Sequence, residues 1–268
     1  VGAIQDSTEF LELCNDTVLF GSYYTLQQAA QDNSLAGRKY ALEGYLAPNT
    51  YRVFTDATPE SLIRTLLDQT DTVLNDIYNA TEAENDTGEE KFNTTLTRDQ
   101  TIILASMIEK EAGKREDYSK VSAVFHNRLR SGMRLDSDPT VKYTLGITKM
   151  VLTQQEIGTQ SRYNTYVIDG LPVGPICNPS PDAIKAALYP YMTFINEGYL
   201  YFCSKDPASG ELAFSKTLSE HNAAVAQYRP LWEQYDAIQA AATPTPSPTP
   251  SVTPAVDSSA SPSPTPAA

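Results

Sequence analysis

Thr97–Gly146 reads TRDQTIILASMIEKEAGKREDYSKVSAVFHNRLRSGMRLDSDPTVKYTLG, and its spacing predicts helix, break, helix, turn and short helix. Thr97-Arg98-Asp99-Gln100 matches a capping box, in which Thr and Gln side chains satisfy free N–H groups of the first turn. Leu104, Met107, Ile108 and Glu111 then recur at steps of three and four and share one helix face. Glu109 lies two residues from Glu111 and projects to nearly the opposite side, so the two acids of the EKE triplet are not a pair. Gly113 is a natural residue to follow the helix end. Glu111 thus falls in the last turn, where the negative end of the helix dipole disfavours a carboxylate. Apolar neighbours one turn back add desolvation. Both effects raise a carboxyl pKa and suit a proton donor near neutral pH. The alternative is an ion pair between Glu111 and Arg128 or another cation.

Working outward, Asp117 to Ser131 form a second helix with Val121, Val124, Phe125 and Leu129 inward and Asn127 and Arg128 toward its C-terminal half. Asp138-Pro139 starts a short helix, with Asp138 expected as its cap and Pro139 at the first helical position. Upstream, Ser7–Asn33 reads as two helical pieces. The segment LEGYLAPNTYRV, Leu42 to Val53, alternates apolar and polar residues around Gly44 and Pro48 and reads as strand and turn. Thr58-Pro59-Glu60 opens a long amphipathic helix running to about Ala80, followed by a polar linker, Thr81 to Asn93. Downstream come a connecting helix near Thr153–Gly158 and an aromatic, Gly/Pro-turned loop from Tyr163. A helix from Ser180-Pro181 to Leu188 follows, then a β-hairpin, Tyr199–Lys216, that turns within Asp206–Gly210. Thr217 caps the last helix, and His221 in its first turn reads as a capping or core residue. The expected fold class is α+β: a mostly helical domain with one small hairpin.

The 268-residue chain is 41% hydrophobic, enough for a sizeable core. Thr243–Ala268 departs from the rest: it holds 8 of the 18 prolines and one charge, Asp257, and reads as a disordered, extended tail. The folded region is therefore expected in residues 1–242. A net charge of −13 without a basic patch argues against nucleic acid as partner. The acidic run Glu82–Glu90 reads as a solvated loop. Cys14, Cys177 and Cys203 are isolated and the histidines number 2, so neither a metal site nor a disulfide framework is implied. No membrane span or signal peptide is visible.

ASMIEKEAGKREDYSKVSAVFHNRLRSGMRLDSDPTVKYTLG, followed by YNTY, GLPVGPICNPS and FSKTLSEHN and preceded by LEGYLAPNTY, resembles the membrane-anchored endolytic murein transglycosylases (the YceG-like, MltG family). Five motifs in order, from about Leu42 to Tyr228, carry that resemblance. It implies a lytic-transglycosylase-like active-site helix that cleaves β-1,4 bonds between N-acetylmuramic acid and N-acetylglucosamine, leaving 1,6-anhydromuramoyl ends, without a cofactor. The family's catalytic glutamate falls on Glu111, in agreement with the helix-face argument. Other lytic transglycosylases carry Ser or Thr after that Glu, whereas this chain has Ala112. By motif membership, Asn127, Asp138, Tyr163, Asn164, Thr165 and Glu43 become candidates for substrate binding or charge stabilisation. The resemblance further implies peptidoglycan strands as substrate, and peptidoglycan synthases or elongation machinery as partners. It implies an N-terminal membrane helix and a LysM-like module upstream of the first residue here, which is not Met, and an extracytoplasmic location at the cell membrane. A hydrolytic muramidase, needing a second carboxylate among Glu109, Asp136 and Asp138, and a non-catalytic glycan-binding module are the competing readings.

Overall fold

The computed structural model describes residues 7–31, 35–80, 92 and 95–242. The acidic run, nearly all of the expected linker and the Pro-rich tail lie outside the described residues. The fold is α+β and mostly helical. In chain order it runs α1 (Ser7–Leu13), α2 (Tyr24–Gln31), α3 (Pro59–Asn79), α4 (Arg98–Glu111), a short 3-10 turn (Arg115–Asp117), α5 (Tyr118–Arg130) and α6 (Asp138–Leu145). It continues through α7 (Gln154–Ile157), α8 (Pro181–Leu188), α9 (Met192–Glu197), β1 (Tyr201–Asp206), β2 (Glu211–Ser215) and α10 (Leu218–Ala242).

The helix starts follow their capping chemistry. Thr97 accepts from the Gln100 N–H while Gln100 returns a bond to the Thr97 N–H. Thr58 and Ser180 cap α3 and α8, each with Pro in the first turn. At α10 the Thr217 hydroxyl accepts from the Glu220 N–H, and Glu220 accepts from the N–H groups of Lys216 and Thr217. Helix α10 runs on through Pro230 to Ala242 and is anchored by the Trp232 indole on the Ser204 carbonyl at 2.9 Å.

α4 is the centre of the core. Residues Thr101 to Ile108 are buried all round the helix, not on one face as the spacing suggested. The reason is that α8, α5, α2 and α6 all pack against α4, so its middle turns do not reach water. α5 crosses the same bundle and ties to α8 through the His126 ring and the Ala187 carbonyl, 2.9 Å apart. The hairpin pairs Tyr201–Asp206 with Glu211–Ser215 in antiparallel register and is covered by α10.

The strand expected in Leu42–Val53 is not formed. Gly44 adopts φ +91°, and its Cβ-free face lies against Pro175 and Ile102. The N–H groups of Gly44 and Leu46 both go to the Asn178 side-chain oxygen, at 2.7 and 3.1 Å, and that of Ala47 goes to Thr70. Side chains have taken the donors that a strand partner would need. Gly113 follows the Ala112 C-cap as expected, but its φ is not positive. A Cβ at Gly113 would sit 2.6 Å from the Cα of Gly210, so glycine is needed there because the hairpin tip rests on its backbone.

Candidate functional site

Glu111 sits on the last turn of α4, part-buried, where the capping box at the far end has set the helix register. Among the described residues no cation forms an ion pair with its carboxylate. Instead the Ser137 hydroxyl donates to Oε1 at 2.6 Å. Burial, opposed by that hydrogen bond, pushes the Glu111 carboxyl up to about 7. The nearby Asp138 charge raises it further, while Lys142 and Arg128 pull it down. A carboxyl poised there is about half protonated near neutral pH, so the same group can give a proton and take one back. Arg128, the expected alternative partner, is used elsewhere: it donates to the carbonyls of Leu200, Arg134 and Leu135 and to Asp136.

Glu109 serves the structure. It accepts from both the N–H and the hydroxyl of Ser180, holding the start of α8 against α4.

Asp138 does not cap α6. Ser137 takes the cap position without a side-chain bond, Asp138 is the first helical residue, and Pro139 follows. The Asp138 carboxylate turns instead to the Tyr166 hydroxyl, which donates at 2.6 Å, and burial raises its pKa. Tyr166 in turn faces Asp138, Glu111 and Asp136, and burial with those charges holds its phenol far above its ordinary value. Asp138 and Tyr166 therefore belong to the Glu111 site.

The other candidates divide. Thr165, fully buried, accepts the Ser137 N–H at 2.9 Å and meets the Thr140 hydroxyl at 3.1 Å, so it braces the residue that touches Glu111. Asn164 is also fully buried. Its amide donates to the carbonyls of Ile157 and Thr159 and its oxygen accepts the Tyr166 N–H, which aims Tyr166. Asn127 is not brought to this group: both its bonds go to the carbonyls of Phe194 and Tyr199, joining α5 to α9. A second group lies further along α6. The Tyr143 hydroxyl donates to Glu43, Tyr143 and Tyr163 tilt against each other at 4.9 Å, and the Lys39 ammonium lies 5.3 Å from the Tyr143 ring centre. Burial raises the Glu43 pKa against the pull of Tyr143, Lys39 and Lys110. Tyr163 is buried, so the part-exposed Tyr143 ring packed on it, with Glu43 and Lys39, is the face suited to sugar C–H groups and hydroxyls.

Sequence reasoning missed Ser137, Tyr166, Lys142 and Tyr143. Tyr166 stood inside the YNTY motif, and the other three stood inside the quoted SDPTVKY run. Their roles depend on which side of α6 and of the Tyr163–Tyr166 loop faces Glu111. Among the described residues, no group of three or more His, Cys, Asp or Glu is arranged to hold a metal ion. All three cysteines are free.

The sequence profile of the YceG-like family matches residues 4–227. The chain is 38% identical over 191 residues to the endolytic murein transglycosylase of Bacillus subtilis (strain 168), covering 71% of this chain and 49% of that protein. It is 31% identical over 198 residues to the endolytic murein transglycosylase of Streptococcus pneumoniae serotype 2, covering 72% of this chain and 33% of that one. The chain thus spans half or less of the length of these relatives. The crystal structure of a yceG-like protein from Listeria monocytogenes superposes with a TM-score of 0.66 at 33% identity, over 81% of this chain and 67% of that one. With more than half of its length matched by the family profile, the chain belongs to the YceG-like family.

Proposed function

We propose that this chain carries endolytic murein transglycosylase activity on peptidoglycan, with Glu111 as its single general acid/base. One observation carries the reading: a part-buried carboxyl on the last turn of α4 that meets the Ser137 hydroxyl, has no ion pair among the described residues, and is pushed by burial up to about 7. In its protonated form Glu111 gives its proton to the glycosidic oxygen between the muramoyl and glucosaminyl sugars as that bond breaks. The resulting carboxylate then takes the proton of the muramoyl 6-hydroxyl, whose oxygen bonds to the anomeric carbon. The products are a 1,6-anhydromuramoyl end and a free glucosaminyl 4-hydroxyl, and Glu111 is protonated again. One carboxyl suffices because the nucleophile belongs to the substrate, whereas a hydrolase needs a second for nucleophile or water.

Ser137, Asp138 and Tyr166 border the reacting bond in this reading. Glu43 and Tyr143 bind a neighbouring sugar, with Tyr163 packed against the Tyr143 ring, and Thr165 and Asn164 support the wall from behind. Asn127 acts through the packing of α5. The names of the Bacillus and Streptococcus relatives support the reaction class and the substrate. In this reading the domain meets its glycan outside the cytoplasm, as part of a membrane-anchored whole protein working beside peptidoglycan synthases. No helix among the described residues is long and apolar enough to cross a membrane.

One observation favours a second reading. Asp138 lies close enough to raise the Glu111 pKa, and a hydrolytic muramidase would use such a carboxylate to activate water. Mass spectrometry of digested uncrosslinked glycan separates the two. Anhydromuramoyl ends that vanish with Glu111→Gln support the transglycosylase; reducing muramoyl ends that vanish with Asp138→Asn support the hydrolase.

A further inference from the structure

The hydroxyl that meets Glu111 arrives on an uncommon piece of backbone. Asp136, immediately before Ser137, has φ +46° and is the non-glycine residue with positive φ among those described. Side chains in that region are sparsely populated and persist where surroundings enforce them, often at functional sites. Here the enforcement is visible. Arg128 Nη1 donates to the carbonyls of Arg134 and Leu135 at 3.1 and 3.0 Å and to Asp136 Oδ2 at 3.1 Å. On the other side Thr165 accepts the Ser137 N–H, and its hydroxyl contacts Thr140, whose own hydroxyl donates to the Ser137 carbonyl at 2.6 Å. Ser137 is only 1% exposed, so its hydroxyl has Glu111 in place of water.

We propose that Ser137 is a positioning residue for Glu111, delivered by the left-handed turn at Asp136 that Arg128 and Thr165 lock in place. The inference rests on Glu111 as the acid/base described above. Its hydrogen bond occupies Oε1 and leaves Oε2 as the oxygen that exchanges the proton with the sugar. A donated bond favours the ionised carboxylate, so loss of the hydroxyl makes Glu111 hold its proton to higher pH. The charged and titratable groups facing Glu111 are Asp138 and Lys142 on α6, Arg128 on α5 and Tyr166 on the loop before α8. Ser137 is the hydroxyl bonded directly to the carboxylate.

The test is a 13C titration of the Glu111 carboxyl by NMR, assigned by its absence in Glu111→Gln, beside the pH profile of anhydro-product release. In Ser137→Ala the midpoint moves up by about one pH unit, kcat falls roughly tenfold and KM stays unchanged, as expected for a lost bond to a charged group. An unchanged midpoint and kcat would overturn the proposal. Asp136 gives an independent check, because it is exposed and its replacement leaves the core intact. Asp136→Gly and Asp136→Ala both lose the carboxylate bond to Arg128, but only glycine takes the left-handed turn without strain, so Asp136→Ala shifts the profile further in the direction of Ser137→Ala than Asp136→Gly does. Identical profiles for the two Asp136 variants would refute the turn as the device, even if Ser137→Ala fails to fold. Should the wild type release no anhydro ends, the glycan reading fails, while the NMR midpoint still reports on the Ser137 bond.

Discussion

Helix α4 carries a carboxylate near each end, and the two are treated in opposite ways. Asp99, 3% exposed, stands in the first turn, where the helix dipole favours negative charge. Arg38 Nη2 reaches its two oxygens at 2.7 and 2.6 Å, and the Tyr45 hydroxyl adds a further bond. Glu111 stands in the last turn, where the dipole opposes it, and receives one neutral hydroxyl. The first acid is satisfied and ties the Arg38–Tyr45 segment to the core. The second is under-supplied, and that shortage makes it a proton donor. Whether a buried acid holds the fold or does chemistry depends here on the charges and donors around it rather than on its residue type.

The comparison breaks most sharply at Glu111. Glu111→Gln keeps the Ser137 contact in shape but cannot exchange a proton, so anhydro-product release falls by roughly a hundredfold to ten-thousandfold. A variant above a tenth of wild-type rate, measured by released muropeptides, would remove Glu111 from the chemistry. At the other end, Arg38→Ala leaves Asp99 and Tyr45 buried without their cation and lowers stability by about 3–5 kcal/mol. Chemical denaturation reads it directly, and a loss under 1 kcal/mol would show that Asp99 is not held by that pair.

Stability against pH distinguishes the two acids further. The Glu111 carboxyl rises from an ordinary 4.5 to about 7 on folding, so the folded state binds its proton more tightly. That stabilising contribution is complete below pH 4.5, declines as pH rises toward 7 and is absent above it. Glu111→Gln has no such loss. Its advantage over wild type therefore grows across that window, reaching about 3 kcal/mol, or roughly 6–12 °C in Tm, at pH 8. Melting curves of the two proteins that run parallel from pH 4 to 8 would contradict the assignment. The smallest effect comes at Gly113: Gly113→Ala pushes the Gly210 tip of the hairpin off the end of α4 and costs about 1–3 kcal/mol. Activity should fall with it, because Glu111 lies two residues away; an unchanged kcat would mean that the hairpin tip does not hold the site.

Much of this was legible along the chain because it is local. The capping box at Thr97, the Thr217 cap, the Pro-led starts of α3 and α8, the hairpin turn in Asp206–Gly210 and the separation of Glu109 from Glu111 follow from helix and turn geometry within a few residues. Glu111 stood out for the same reason, as an acid at the wrong end of an apolar helix. The Gly44 segment misled because its N–H groups are taken by Asn178, 134 residues on for Gly44, and no local pattern announces that.

What the sequence determined by itself was the helical frame, the family likeness and the one acid at the end of α4. Only the tertiary structure decided that Asn127 and Asn164 spend their amides on backbone carbonyls, that Asp138 turns from capping to Tyr166, and that Ser137 is the hydroxyl on Glu111. The reason is physical. Helix periodicity says which side of one element a residue occupies, but a carboxyl pKa depends on burial and on charges brought from other elements. Those arrive at Glu111 from α5, α6 and the Tyr163–Tyr166 loop, and their meeting is a property of the folded chain.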